Sequence, residues 1–262
     1  MTSNVSSLIG NIERRLGIVG KTQAVCPEHG VYQSSIFQAG NQSGCPSCAV
    51  ILQSERDRRA LEAQRAAVQA EKLEAKMGSA LIPKRFMSRD FDGFKAETPK
   101  QLKNLETCRE YAAEFEKNFE DGRCLLLLGK PGTGKTHLAA AIARYVMLST
   151  KHVAMYRTVS SVLQYVKGSY GERDYTESEA FASLENPGLL ILDEIGATKP
   201  TEFEKAVLFE VINRRYENQK PTIVISNLMP SELSGALGER CVDRLREGGG
   251  KALVFDWESA RA

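Results

Sequence analysis

No stretch of the 262-residue chain reads as the run of roughly 18 apolar residues that a membrane-spanning helix needs. The opening Met1-Thr2-Ser3-Asn4-Val5-Ser6-Ser7 lacks the basic segment and apolar run of a secretory signal. Charge of one sign is also scarce. Thirty-five Lys and Arg against 33 Asp and Glu leave a formal net charge of +2, so bulk charge does not select nucleic acid as a partner and leaves room only for local basic patches. Six cysteines in a chain of this length are too sparse for a secreted disulfide framework, which predicts reduced thiols and a cytoplasmic protein. There is no internal repeat. The length suits one large domain with a small appendage.

Three segments differ in composition. Residues 1–48 read as a small N-terminal module rich in Cys, Gly, Ser and Gln beyond residue 20. At its start, Ile9, Ile12, Leu16 and Val19 with Glu13, Arg14 and Arg15 predict a short amphipathic helix, covering its own domain or meeting a partner. Residues 49–82 read as a helical linker. Its helix spans 49–77 and is rich in Ala, Glu, Arg and Gln, with Gly78-Ser79 and Pro83 as stop signals. Its sparse apolar positions, Ile51, Leu52, Leu61, Val68 and Leu73, suit either a solvated spacer or a helix that packs on another protein. Residues 83–262 read as the main domain. There, apolar runs at Arg123–Leu128, Val153–Thr158, Gly188–Asp193, Thr222–Ser226 and Lys251–Phe255 alternate with helical stretches at Thr136–Leu148, Glu202–Glu217 and Arg240–Arg246. Near-continuous apolar strands joined by helices predict an α/β fold, a parallel sheet covered on both faces. Thr201-Glu202-Phe203-Glu204 after Pro200 predicts a capping box at the start of one helix.

Gly129-Lys130-Pro131-Gly132-Thr133-Gly134-Lys135-Thr136 matches the phosphate-binding P-loop motif in full, with a strand before it and a helix after. Gly132 and Gly134 let backbone N–H groups turn inward around phosphate oxygens. Lys135 offers a point charge to the β- and γ-phosphates, and Thr136 offers a hydroxyl to Mg²⁺. The helix that begins here directs its positive dipole end at the anion. The expected nucleotide site is Gly129, Pro131, Gly132, Thr133, Gly134, Lys135, Thr136 and His137, completed by Asp193. That aspartate ends the apolar strand Leu189-Leu190-Ile191-Leu192-Asp193-Glu194. Downstream of a P-loop, Asp193 is expected to hold the Mg²⁺ shell and Glu194 to accept a proton from, or orient, the water that attacks ATP. Asn227 follows another apolar strand. If that strand lies beside the P-loop strand, Asn227 reaches the γ-phosphate; otherwise it is a turn former.

Near the N-terminus, Cys26-Pro27-Glu28-His29 and Cys45-Pro46-Ser47-Cys48 form C-x₂-H and C-x₂-C pairs. Three thiolates and one imidazole suit a closed, structural, tetrahedral Zn²⁺ site. Such an ion supplies folding energy to a segment too small for a core. Cys108, Cys124 and Cys241 are expected as buried apolar fillers. His137 and His152 lack metal-ligand partners in the sequence.

The order of motifs, with Leu192-Asp193-Glu194-Ile195-Gly196, Ser226-Asn227-Leu228, Gly238-Glu239-Arg240 and Phe255-Asp256-Trp257, resembles the DnaC-type branch of the AAA+ ATPases over roughly Pro83 to Trp257. These are helicase loaders and the related helper ATPases of transposons. The resemblance implies a P-loop AAA+ sheet. It also implies that Arg240 enters a neighbouring subunit's ATP site as a catalytic arginine, which makes self-association part of the activity. Read alone, Arg240 is a surface arginine at a helix start. Arg244 and Arg246 follow it as sensing or structural arginines. The chain stops soon after its last strand, so the separate helical lid of most AAA+ proteins is expected to be missing or vestigial, and not all loaders carry the Cys/His cluster. The implied function is ATP-dependent loading of a hexameric DnaB-type replicative helicase onto single-stranded DNA. A helper ATPase for a transposase and an ATP-switched protein-binding adaptor are the alternatives. Lys167, Tyr170 and Arg173 lie in a Gly-containing loop that reads as solvated or as a DNA contact.

Overall fold

A computed structural model of the protein describes residues 13, 15–171 and 174–259. Of the residues singled out above, Ile9, Ile12, Arg14 and Arg173 lie outside these. The chain forms two compact units, Met1–Ala70 and Glu71–Ala262. No helix among the described residues is long and apolar enough to cross a membrane.

In the first unit, β1 (Ile18–Cys26) and β2 (Gly30–Phe37) make an antiparallel hairpin in which Cys26 faces Gly30 and Val25 faces Val31. Val19 therefore lies on a strand, and the amphipathic helix expected to include it does not extend that far. Burial alternates along β1, yet the residues that alternate are Lys, Thr, Gln and Ala, so the signal is weak in an apolar/polar reading. Helix α1 (Pro46–Ser79) follows. Its 34 residues contain no interior helix breaker before Gly78, and they satisfy the stop expected at Gly78-Ser79. Ile51, Leu52, Leu61 and Val68 are exposed on it. The division between the units falls within this helix.

In the second unit, Leu73 and Met77 of α1, with Ala80 and Ile82 after it, are buried in the hydrophobic core. The Ala80 carbonyl accepts the N–H of Tyr156 at 2.7 Å. The core encloses a five-stranded parallel sheet of β3 (Leu125–Gly129), β4 (Ala154–Thr158), β5 (Leu189–Ile195), β6 (Thr222–Ser226) and β7 (Lys251–Phe255). The strand order is β4-β5-β6-β3-β7. All five expected strands form, β6 and β7 with the expected bounds and β3, β4 and β5 shifted by a residue or two at one or both ends. Side chains alternate between two apolar layers. Leu125, Leu127, Ile191, Ile223 and Ile225 enter one, and Leu126, Leu128, Leu190, Leu192 and Val224 enter the other. A sheet buried on both faces needs apolar residues at every position, which is why these strands read as unbroken runs.

Helices cover both faces: α2 (Pro99–Ala113), α3 (Phe115–Glu120), α4 (Lys135–Ser149), α5 (Val159–Gly168), α6 (Glu177–Glu185), α7 (Glu202–Glu217), α8 (Leu233–Leu237) and α9 (Glu239–Arg246). Thr201 caps α7 by accepting the Glu204 N–H, but only this half of the expected capping box forms, and the Glu204 carboxyl is buried and its pKa raised by desolvation. Full boxes occur instead at Thr98/Gln101 and Thr176/Glu179. Cys108, Cys124 and Cys241 are buried, as expected. Strand β3 is flanked by β6 and β7 while the chain crosses to β4 at the far edge, so the loop after β3 opens a crevice at the carboxyl ends of the strands.

Candidate functional site

The loop between β3 and α4 is the P-loop, and it borders a cleft of about 1080 Å³. Gly129 and Gly134 sit at φ +123° and +93°, where a side chain is strained. A Cβ on Gly129 would collide with the Phe255 carbonyl, and one on Gly134 would strike the Phe94 ring. The loop can thus run tightly between β7 and the upstream wall. Lys135 is buried, and its ammonium donates to the carbonyls of Gly129 at 2.7 Å and Lys130 at 2.6 Å. Away from bulk water its charge acts strongly on a nearby anion. His137 also lines the cleft, with its Nε2 2.7 Å from the Asp90 carbonyl oxygen and its ring edge-on to Phe94.

The carboxylate pair stands at the end of β5. Asp193 is buried and points to the same layer as Ile191, the layer that holds α4. Its Oδ2 accepts the Thr136 hydroxyl at 3.0 Å and the Tyr156 hydroxyl at 2.6 Å. Its Oδ1 accepts the Glu194 N–H at 2.7 Å. A hydroxyl and a carboxylate held 3.0 Å apart are hard oxygen donors of the kind Mg²⁺ takes, so these residues fit the ion. Glu194 is exposed and lines the cleft, with φ at +66°. The parallel pairing of β5 with β6 slips between Leu192 and Ile195, and the Ser226 hydroxyl ties the slipped segment by donating to the Ile195 carbonyl at 2.6 Å. β6 does lie beside β3, and Asn227 at its end lines the cleft.

Several lining residues escaped sequence reasoning. Phe86, Arg89, Phe94 and Gln101 form the wall upstream of β3. They carry no motif, although Thr98-Pro99-Lys100-Gln101 is a helix-start signal. Trp257 donates its indole N–H to the Thr133 carbonyl at 3.2 Å, and Lys130 N–H donates to Phe255 O at 2.8 Å, so the segment ending β7 braces the loop. Tyr156 reads in sequence only as a strand former. Burial raises its phenol pKa first, and the Asp193 charge raises it further.

Arg240 is exposed at the start of α9 and does not line the cleft of its own chain. Arg244 instead lies over the rings of Phe209 at 4.8 Å and Tyr216 at 5.5 Å. Arg246 is exposed. Near the loop after α5, Lys167 Nζ stands 5.1 Å from the Phe203 ring centroid, and Tyr170, 58% exposed, meets Phe203 edge-on at 6.5 Å.

In the first unit the hairpin turn and the start of α1 bring Cys26, His29, Cys45 and Cys48 together, one ligand atom each, all within 4.8 Å of one another. Cys26 Sγ lies 3.5 Å from Cys48 Sγ and 3.6 Å from His29 Nδ1, and Cys48 Sγ lies 3.3 Å from His29 Nδ1. A tetrahedral Zn²⁺ with Zn–S bonds near 2.3 Å sets sulfur atoms about 3.8 Å apart, so the cluster fits that ion. The Cys26 thiol is lowered to about 6, chiefly by the Glu28 backbone N–H and then by His29, whereas Cys48 is raised to about 12, first by its bond to Cys26.

A model of the IstB-like ATP binding proteins matches residues 46–244. The replicative helicase loader DnaC of Buchnera aphidicola subsp. Acyrthosiphon pisum (strain APS) is 35% identical over 193 residues, 73% of this chain and 77% of that protein. The protein of the same name from Escherichia coli (strain K12) is 33% identical over 172 residues, 66% of this chain and 69% of that one. The crystal structure of the DnaC helicase loader superposes with a TM-score of 0.60 at 25% identity, covering 66% of this chain and 100% of that chain. The parallel sheet flanked by helices is a P-loop AAA+ fold of that kind.

Proposed function

The chain belongs to the family of IstB-like ATP binding proteins, and on that premise we propose that it is a Mg²⁺-dependent ATPase that loads a replicative helicase onto single-stranded DNA. The observation that carries the reading is the convergence on one cleft of Lys135, Thr136, Asp193, Glu194 and Asn227, in a chain akin to proteins named helicase loaders.

Each residue has a role in this reading. The P-loop N–H groups and Lys135 hold the β- and γ-phosphates. Thr136 and Asp193 hold Mg²⁺, which when bound neutralises charge on the phosphate oxygens. Glu194 orients and deprotonates the attacking water, and Asn227 helps to position it. Arg240, outside its own cleft, completes the site of a neighbouring copy and stabilises charge on the transferred phosphoryl group. Zn²⁺ on Cys26, His29, Cys45 and Cys48 holds an N-terminal module of residues 1–48. Together with the helical linker of residues 49–82, that module engages the hexameric helicase, and residues 83–262 act as the motor. Lys167 and the exposed Tyr170 supply a cation and a stackable ring, the equipment for gripping single-stranded DNA. The work is placed in the cytoplasm.

Affinity capture with the full-length, tagged chain and ATP from lysate of its own host tests the reading. A hexameric replicative helicase is the expected co-purifying protein. Recovery of a transposase in its place would give the helper-ATPase alternative, and recovery of neither would favour the adaptor.

A further inference from the structure

We propose that Tyr156 is a positioning residue for the Mg²⁺ site: its hydroxyl fixes the Asp193 carboxylate in the orientation that the ion requires. The inference rests on the ATPase reading above and extends it to a residue on a neighbouring strand.

The sheet register makes the contact. In the parallel pairing of β4 with β5, Tyr156 lies opposite Ile191 and Thr158 lies opposite Asp193. Tyr156, Ile191 and the Asp193 side chain share one face of the sheet, because alternate residues of a strand do so. Asp193 lies two residues beyond Ile191, about 6.6 Å along the strand. The long phenol ring spans that gap, and its hydroxyl reaches Asp193 Oδ2 at 2.6 Å. Tyr156 is 7% exposed, so a phenylalanine would fill the same space, and the hydroxyl must be explained by what it bonds.

The carboxylate is held from three directions, by Thr136, by Tyr156 and by the Glu194 N–H. An ionised carboxylate offers about four acceptor sites. Three donors therefore leave room for one more, such as a water of a hydrated ion. Thr136 is also the motif's own Mg²⁺ ligand. Tyr156 is thus the side-chain donor with no other duty in the site, and it holds the carboxylate plane while Thr136 serves the ion. Outer-shell partners of this kind typically cost about 10–100-fold in metal affinity when removed.

The test measures binding of a fluorescent mant-ATP to the full-length chain as MgCl₂ is titrated. Tyr156→Phe should raise the half-saturating Mg²⁺ concentration about tenfold. It should leave mant-ATP affinity in EDTA and the thermal unfolding midpoint near those of the unmutated chain. An unchanged Mg²⁺ requirement would overturn the proposal. So would a loss of affinity equal with and without Mg²⁺, since that marks a packing role. A second pair of variants keeps the test sharp. Asp193→Asn alone should raise the Mg²⁺ requirement, and adding Tyr156→Phe to it should raise it no further, because no carboxylate remains to be oriented. Additive effects would place the action of Tyr156 elsewhere and overturn the idea. If the unmutated chain bound no mant-ATP at any Mg²⁺ concentration, the ATPase reading itself would fall, and this inference with it.

Discussion

Asp193 and Glu194 are adjacent, yet they are held by different means. Asp193 is buried and fixed by three donors, which suits a group that must keep one orientation toward an ion. Glu194 is exposed and fixed by its backbone, with φ at +66°, a conformation costing a non-glycine residue on the order of 1–3 kcal/mol. The slipped pairing to β6 and the Ser226 bond to Ile195 hold it there, so the carboxylate is presented to the cleft and not to the sheet. Two substitutions separate binding from turnover. Lys135→Ala removes the cation and leaves the Gly129 and Lys130 carbonyls without that donor, so tight ATP binding should disappear. Glu194→Gln keeps shape and phosphate contacts but cannot accept a proton, so ATP should bind while phosphate release falls by about 10²–10⁴-fold. Equilibrium binding and single-turnover phosphate release on the two variants check both, and hydrolysis at the unmutated rate by Glu194→Gln would remove that carboxylate from the chemistry.

At the scale of elements, the two units are stabilised by different physics. The second has a sheet buried on both faces. In the first, β1 and β2 form a two-stranded hairpin, which is marginal alone in water, and Val25 and Val31 face each other exposed on it. The Cys/His cluster joins the hairpin turn to the start of α1, where a bound Zn²⁺ would supply the folding energy that an apolar core gives elsewhere. Purified protein should carry one zinc per chain, and Cys45→Ser should lose it. The variant should still bind ATP, because the core of Glu71–Ala262 is built from its own residues. Elemental analysis and mant-ATP binding on the same sample read both outcomes, and freshly prepared reduced protein without zinc would overturn the assignment. The same contrast explains what could be read from sequence. Strands β3, β5 and β6 were legible because double-sided burial demands unbroken apolar runs, and the Thr201 cap gave the start of α7. The hairpin was not legible, because Lys21, Thr22, Gln23 and Ala24 alternate in burial without alternating in polarity. Helices α2 and α6 are not among the expected helices despite full capping boxes at Thr98 and Thr176 and buried residues at helical spacing, Leu105, Cys108 and Ala112 in α2 and Ala180, Phe181 and Leu184 in α6. The P-loop, the acid pair and the Cys-x₂-His and Cys-x₂-Cys pairs are short local patterns, and so they read directly from the sequence. Tyr156 reaches the site through strand register and Trp257 through a bond made by the segment after β7, and no local pattern encodes either contact.

At the scale of the whole molecule, the cleft of a single chain holds Lys135, Thr136, Asp193, Glu194 and Asn227 but not Arg240. Arg244, on the same short helix, is engaged with Phe209 and Tyr216 of its own chain, which gives it a packing role. Arg240 is exposed at the helix start, where a positive charge faces the positive end of the helix dipole. That position costs a little stability in the isolated chain and is better suited to meeting an anion on a neighbour. If it does so, an isolated copy has an incomplete site, and turnover per chain should rise with protein concentration and rise further when single-stranded DNA gathers copies together. Arg240→Ala should bind ATP normally and lose this stimulation, at a cost on the order of 10³-fold or more in rate. Mixing Lys135→Ala with Arg240→Ala separates a contribution in trans from one in cis. Neither variant should show stimulated turnover alone, yet some interfaces in the mixture pair an intact P-loop with an intact Arg240 from the adjoining copy, and stimulated activity should partly return there. Light scattering on the same mixture establishes that copies have assembled. Assembly without any recovery, at every mixing ratio, would return Arg240 to a surface role and remove the main argument that the ATP site is shared between copies.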